Sequence, residues 1–173
     1  SEVANLKRMP CLIMILFGFF GLSSCSAGTN MEKLTDYQNK DFKAAAYITL
    51  DGVKYKAEVS KQGSAVYFSF NEPKNLANFI FIVNDGKISV KAGALTVPID
   101  AGEDLLSISK LSSLFRIPVS GTWKINKEAL GGVAVYVCRN ENEDTVMYID
   151  AGSRCPLKII CRGTEANIIS FAQ

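Results

Sequence analysis

From Asp41 onward the apolar residues recur at every second position, the repeat of a β-strand with one buried face. Phe42, Ala44, Ala46, Ile48 and Leu50 alternate with Lys43, Ala45, Tyr47 and Thr49. Asp51-Gly52 follows, a dipeptide favoured in two-residue hairpin turns. Val53, Tyr55, Ala57 and Val59 then alternate with Lys54, Lys56, Glu58 and Ser60, and a second turn at Gln62-Gly63 leads to Val66, Phe68 and Phe70 on one face. Turn chemistry and alternation agree, so 41–70 is expected to form an antiparallel meander.

Residues 79–83 are apolar at every position, which predicts a strand covered on both faces. Asn84-Asp85-Gly86 reverses the chain into 88–91, and Leu95, Val97 and Ile99 extend the sheet pattern. Leu105, Ile108, Leu111 and Phe115 then recur at helical spacing, widened by Leu106 and Leu114, behind Glu103 and Asp104 in the first turn where the helix dipole favours acids. One amphipathic helix over 103–115 is expected, ending before Pro118. Beyond it, 122–125 reads as a short strand, 126–130 as a turn of helix, and 133–138, 145–150, 157–161 and 167–171 as four more strands. The fold class is α+β, mostly β, with an antiparallel sheet and one helix laid against it.

Cys138, Cys155 and Cys161 fall in this closing part. The count alone leaves open one bridge with a free thiol, or three buried thiols. If the last strands form a simple meander, Cys138 and Cys161 stand two strands apart, about 9.5 Å, too far for a disulfide. Free thiols are therefore expected.

Residues 11–22 form an apolar run behind Lys7-Arg8, closing in Leu22-Ser23-Ser24-Cys25. A basic flank, a short apolar core and small exit residues are the parts of a secretory signal peptide. As a helix the run spans about 18 Å against a hydrocarbon core of about 30 Å, so a signal fits better than a membrane span. The exit resembles the lipobox of bacterial lipoproteins. That resemblance implies lipidation of the Cys25 sulfur and cleavage before it, with acyl chains holding the product at a membrane. The expected organisation is a signal peptide over 1–24, the lipidated cysteine and a tether over 25–40, in which 31–40 is either tether or a short helix, and one domain over 41–173. The expected location is extracytoplasmic, lipid-anchored to a bacterial cell membrane.

Several chemistries are excluded. The chain has no histidine, which removes Ser-His-Asp and Cys-His catalysis, His-ligated zinc and an imidazole switch. No phosphate loop, paired CxxC or EF-hand loop is present, and no cofactor is expected. The net charge of +2 is scattered rather than gathered on a basic face, which argues against nucleic acid. Glu141 and Glu143 are the one conceivable carboxylate pair. They sit in a polar stretch that reads as a solvated hairpin tip, and no enzyme activity is expected.

The closing stretch Val146-Met147-Tyr148-Ile149-Asp150, then Pro156-Leu157-Lys158-Ile159, then Ile168-Ile169-Ser170-Phe171 resembles the C-terminal hairpins of the LolA/LolB-like lipoprotein carrier fold. The resemblance implies a curved antiparallel sheet, an incomplete barrel, closed by helices around an apolar cavity that accepts acyl chains or another apolar ligand. The implied lining residues are Phe42, Tyr55, Phe68, Phe70, Phe79 and Phe81 from the sheet, with Leu105, Ile108, Leu111 and Phe115 from the helix. Two functions follow as expectations: a membrane-anchored domain that binds a lipid or other apolar ligand, or an extracytoplasmic interaction module with a packed core and no ligand, whose protein partner the sequence does not name.

Overall fold

The computed structural model describes residues 30–99 and 106–173, with the side chains of 106–109 outside the description. A short helix α1, Met31–Leu34, opens the described chain. The Asn30 side chain accepts the Lys33 N–H at 3.1 Å and so caps its first turn. A 3-10 turn over Asp36–Asn39 follows. Met31, Leu34 and Tyr37 are all buried in the core, so 31–39 belongs to the packed body.

The strands are β1 Phe42–Leu50, β2 Val53–Gln62, β3 Ala65–Glu72, β4 Phe79–Asn84, β5 Lys87–Ala92 and β6 Leu95–Ile99. Helix α2, Leu106–Phe115, separates these from β7 Lys124–Leu130, β8 Val133–Asn140, β9 Thr145–Asp150, β10 Pro156–Cys161 and β11 Thr164–Ala172. Together they form one open sheet in the order β6-β5-β4-β3-β2-β1-β11-β10-β9-β8-β7. Two meanders are thus joined where the first strand pairs antiparallel with the last, Ile48 opposite Ala166 and Ala44 opposite Phe171.

The alternation in 41–70 becomes strands because each turn matches the strand twist. At Asp51-Gly52 both residues have positive φ, 48° and 80°, the two-residue turn that right-twisted strands require. Ala44, Ala46, Ile48, Ala57, Val59, Val66 and Phe68 then fall on one buried face. Two segments depart from expectation. Residues 124–130 contain Lys, Glu, Ala and Leu, good helix formers, yet form β7 rather than a strand followed by a turn of helix. Gly131-Gly132, both at positive φ, turns the chain back so that Leu130 pairs with Val133 and Ile125 with Cys138. That pairing outweighs local preference, and the charges of Lys124, Lys127 and Glu128 suit an edge strand. Strand β4 is the second. It is not covered on both faces: of 79–83 only Val83 is buried, and Phe79 is 36% exposed.

Helix α2 lies against β4, β10 and β11. In a flat sheet β4 and β10 would stand about 24 Å apart, whereas a ten-residue helix is about 15 Å long. The sheet must therefore bend toward α2. Among the described residues the helix touches these few strands and leaves much of its face open. The first turn expected at 103–105 lies outside the described residues. Among the described residues no helix is long and apolar enough to cross a membrane.

Candidate apolar binding face

The face that carries α2 has three parts. In the centre aromatic rings close on one another: Phe115 lies 6.0 Å from Phe42 and 6.0 Å from Phe68 between ring centroids, and Phe42 stacks on Phe171 at 5.1 Å. Leu111, Leu114 and Phe115 on α2 are buried with them. This is close-packed interior of the kind found in protein cores.

Toward β4–β6 the packing opens. Phe70 is still buried and meets Tyr55 at 5.4 Å and Phe81 at 5.5 Å, but Tyr55 and Phe81 are only half-buried. Beyond them the same face carries Val53, Phe79, Val97 and Leu95, with Leu95 64% exposed. Register places Val97 opposite Val90 and Leu95 opposite Ala92, so these side chains form one apolar surface. Lone exposed apolar residues are ordinary, but contiguous ones mark contact sites.

The ten implied lining residues thus separate by place. Phe42, Phe68, Leu111 and Phe115 belong to the packed centre, and Phe70 sits at its boundary. Tyr55, Phe79 and Phe81 belong to the open end. Leu105 lies outside the described residues, as does the side chain of Ile108. Sequence pattern places all the sheet aromatics on one face but carries no signal for where the helix stops. Cys25 also lies outside the described residues.

The third part, toward β7 and β8, is polar and is treated below. The opposite face of the sheet holds a groove of about 590 Å³ over β11, β1, β2, β3 and β4, floored by Ala45, Ser60, Ser69 and Ser170 and walled by Tyr67 and Ile80. Sequence reasoning missed it. The available signal was small residues at outward positions where Lys or Glu is usual.

The three described cysteines are free. Cys138 and Cys161 sit on β8 and β10 with β9 between them, as the meander requires. Cys161 Sγ accepts a hydrogen bond from Thr145 Oγ1 at 3.4 Å. Burial pushes the Cys138 thiol up to about 12, and burial, followed by the nearby Cys138, pushes the Tyr37 phenol up as well. Unfolded cysteine ionises near pH ~8.5 and tyrosine near ~10. Both groups therefore contribute full stability below pH ~8.5 and progressively less as pH rises toward 12, because the unfolded chain loses its protons first. The urea midpoint is expected to fall from pH 9 upward, less steeply in Cys138→Val. At pH 8 a thiol reagent should label Cys155, which is half-buried in a loop, well before the two buried thiols. Equal labelling of all three would contradict this structure.

The acidic hairpin tip carries no free carboxylate pair. Glu141 bonds Lys124 at 2.7 Å, a hydrogen bond and charge that hold its carboxyl below the usual range, and Glu143 pairs with Arg162. Among the described residues no group of acidic and cysteine side chains could hold a metal.

No protein-family model matches the chain, and no curated protein does. Solved structures do. An uncharacterized conserved protein from Thermus thermophilus is similar at 10% identity over 81% of this chain and 83% of that one, with a TM-score of 0.50. The Pseudomonas aeruginosa MucA/MucB complex is similar at 14% identity over 80% of this chain and 54% of that one, TM-score 0.42. A LolA superfamily protein, NE2245 from Nitrosomonas europaea, is similar at 9% identity over 84% of this chain and 93% of that one, TM-score 0.38. The first likeness is one of fold. The chain spans about half the length of the MucA/MucB complex chain it matches.

Proposed function

We propose that this chain is an extracytoplasmic binding module, held at a bacterial membrane by acyl chains on Cys25, that takes an apolar ligand such as a lipid acyl chain on the open end of its helix-bearing face. The observation that carries the reading is the run of exposed and half-buried apolar side chains, Val53, Tyr55, Phe79, Phe81, Leu95 and Val97, beside a centre already filled by its own aromatics. A ligand would lie against the open β4–β6 surface rather than enter the centre. It would bury apolar area now facing water, at about 25 cal/mol per Å². The LolA/LolB-like carrier fold belongs to this proposal, as does the absence of enzyme activity.

The packed centre favours a second reading, an interaction module whose open surface receives an apolar protein segment. Native mass spectrometry of the full chain released gently from membranes separates the two. The first reading expects co-purifying lipid, lost on unfolding and regained on refolding with fatty acid. A lipid-free protein that takes up no fatty acid would sink it and leave the second.

A further inference from the structure

At the β7–β8 end of the helix-bearing face, four side-chain groups are buried without a hydrogen-bond partner among the described residues: Tyr37 Oη, Gln38 Nε2, Trp123 Nε1 and Asn140 Nδ2. They belong to one place. Cys138 and Asn140 are successive inward residues of β8, and Trp123 precedes Lys124, which pairs with Arg139, so its backbone stands opposite Asn140. Tyr37 lies near enough to Cys138 for a thiolate there to oppose its ionisation. Gln38 holds the start of the 117–123 segment, its Oε1 accepting the Ile117 N–H at 2.7 Å. Gly121 in that segment, at φ 102°, comes so close to Asn140 that an added Cβ would stand 3.1 Å from Nδ2.

The amide orientations are fixed by the backbone. Gln38 Oε1 is taken by Ile117, and Asn140 Oδ1 accepts the Asn142 N–H at 3.2 Å. Each NH₂ group therefore points the other way. Gln38 Nε2 approaches the Tyr37 hydroxyl closely enough to favour its phenolate, yet neither atom meets hydrogen-bond geometry. What remains is a set of donors: two amide NH₂ groups, an indole N–H and a phenol O–H. A buried donor left unmet lowers the folding equilibrium by roughly five- to a hundredfold, and buried polar groups are nearly always satisfied. Four together would consume most of a domain's stability.

We propose that this end of the face is a binding seat for an uncharged oxygen acceptor, met either by water or by a carbonyl, ester or hydroxyl oxygen of a small ligand. Donors alone exclude a metal cation, and the seat's five side chains, Tyr37, Gln38, Trp123, Cys138 and Asn140, offer no positive charge to balance an anion. The seat is independent of the open apolar surface on β4–β6.

Trp123 is the chain's single tryptophan, so its indole N–H gives one ¹H–¹⁵N signal. In the full chain that signal is expected at a hydrogen-bonded shift, with slow solvent exchange. Tyr37→Phe, which keeps the ring and removes one donor, is expected to lower the folding constant about fivefold and to move the indole signal. An indole at the shift of an unbonded N–H would overturn the seat, and so would a Tyr37→Phe variant as stable as the parent or more so, because deleting an unmet donor relieves its cost. Native and urea-refolded protein then distinguish the sources. An unchanged indole signal identifies water, and a shift accompanied by loss of a bound mass identifies a ligand oxygen.

Discussion

Replacing Phe115 with alanine is expected to destabilise the domain by about 3–5 kcal/mol, the usual cost of emptying a buried phenylalanine site. The residue is fully buried and its ring meets Phe42 on β1 and Phe68 on β3. It therefore ties α2 to strands two places apart in the sheet. Backbone ladders surround this site and would resist collapse, so the cavity should persist rather than fill. Against a typical total stability of about 5–15 kcal/mol, the loss should appear as a large shift in urea midpoint. Phe79→Ala serves as the control. At 36% exposure it should cost far less, and equal losses at the two positions would contradict the division between packed centre and open end.

The second large effect concerns location. With Cys25→Ala, fractionation of cells should find the domain in the soluble fraction or as an unprocessed precursor, because no thiol remains to carry acyl chains. Each buried CH₂ contributes about 0.8 kcal/mol, so two or three chains make the anchor effectively permanent and their loss complete. A Cys25→Ala protein that is normally processed and still membrane-bound would remove the anchor from the proposal. The open apolar surface would then need another explanation for staying soluble.

Where period-two alternation and Asp-Gly turns coincide, the sequence was legible residue by residue. The hairpin at Asp51-Gly52 and the strand over Thr145–Asp150 stand as read. Small inward residues hid the start of β11, since Thr164 and Ala166 are buried but carry little hydropathy signal. Composition misled at β7, where helix-forming residues are held extended by a glycine turn and a partner strand. The helix itself was legible as a stripe, but not its reach, and that reach decides which aromatics are core and which face solvent. Sequence could place Phe42 and Phe79 on one face. Only the position of α2 distinguishes Phe42, stacked between Phe171 and Phe115, from Phe79, which meets water. The buried donors at 37, 38, 123 and 140 come from separated stretches, and no spacing rule joins them.

The most direct test of the account is titration of the full chain with a fluorescent fatty acid, comparing the parent with a Leu95→Asp/Val97→Asp variant. Both residues are exposed on edge strand β6, so charges there should leave the packed centre and its stability intact. The parent should enhance fluorescence saturably, and the variant should bind at least tenfold more weakly at an unchanged urea midpoint. Saturable binding that the variant retains in full would contradict the open end as the site, and so would a parent that gives no enhancement.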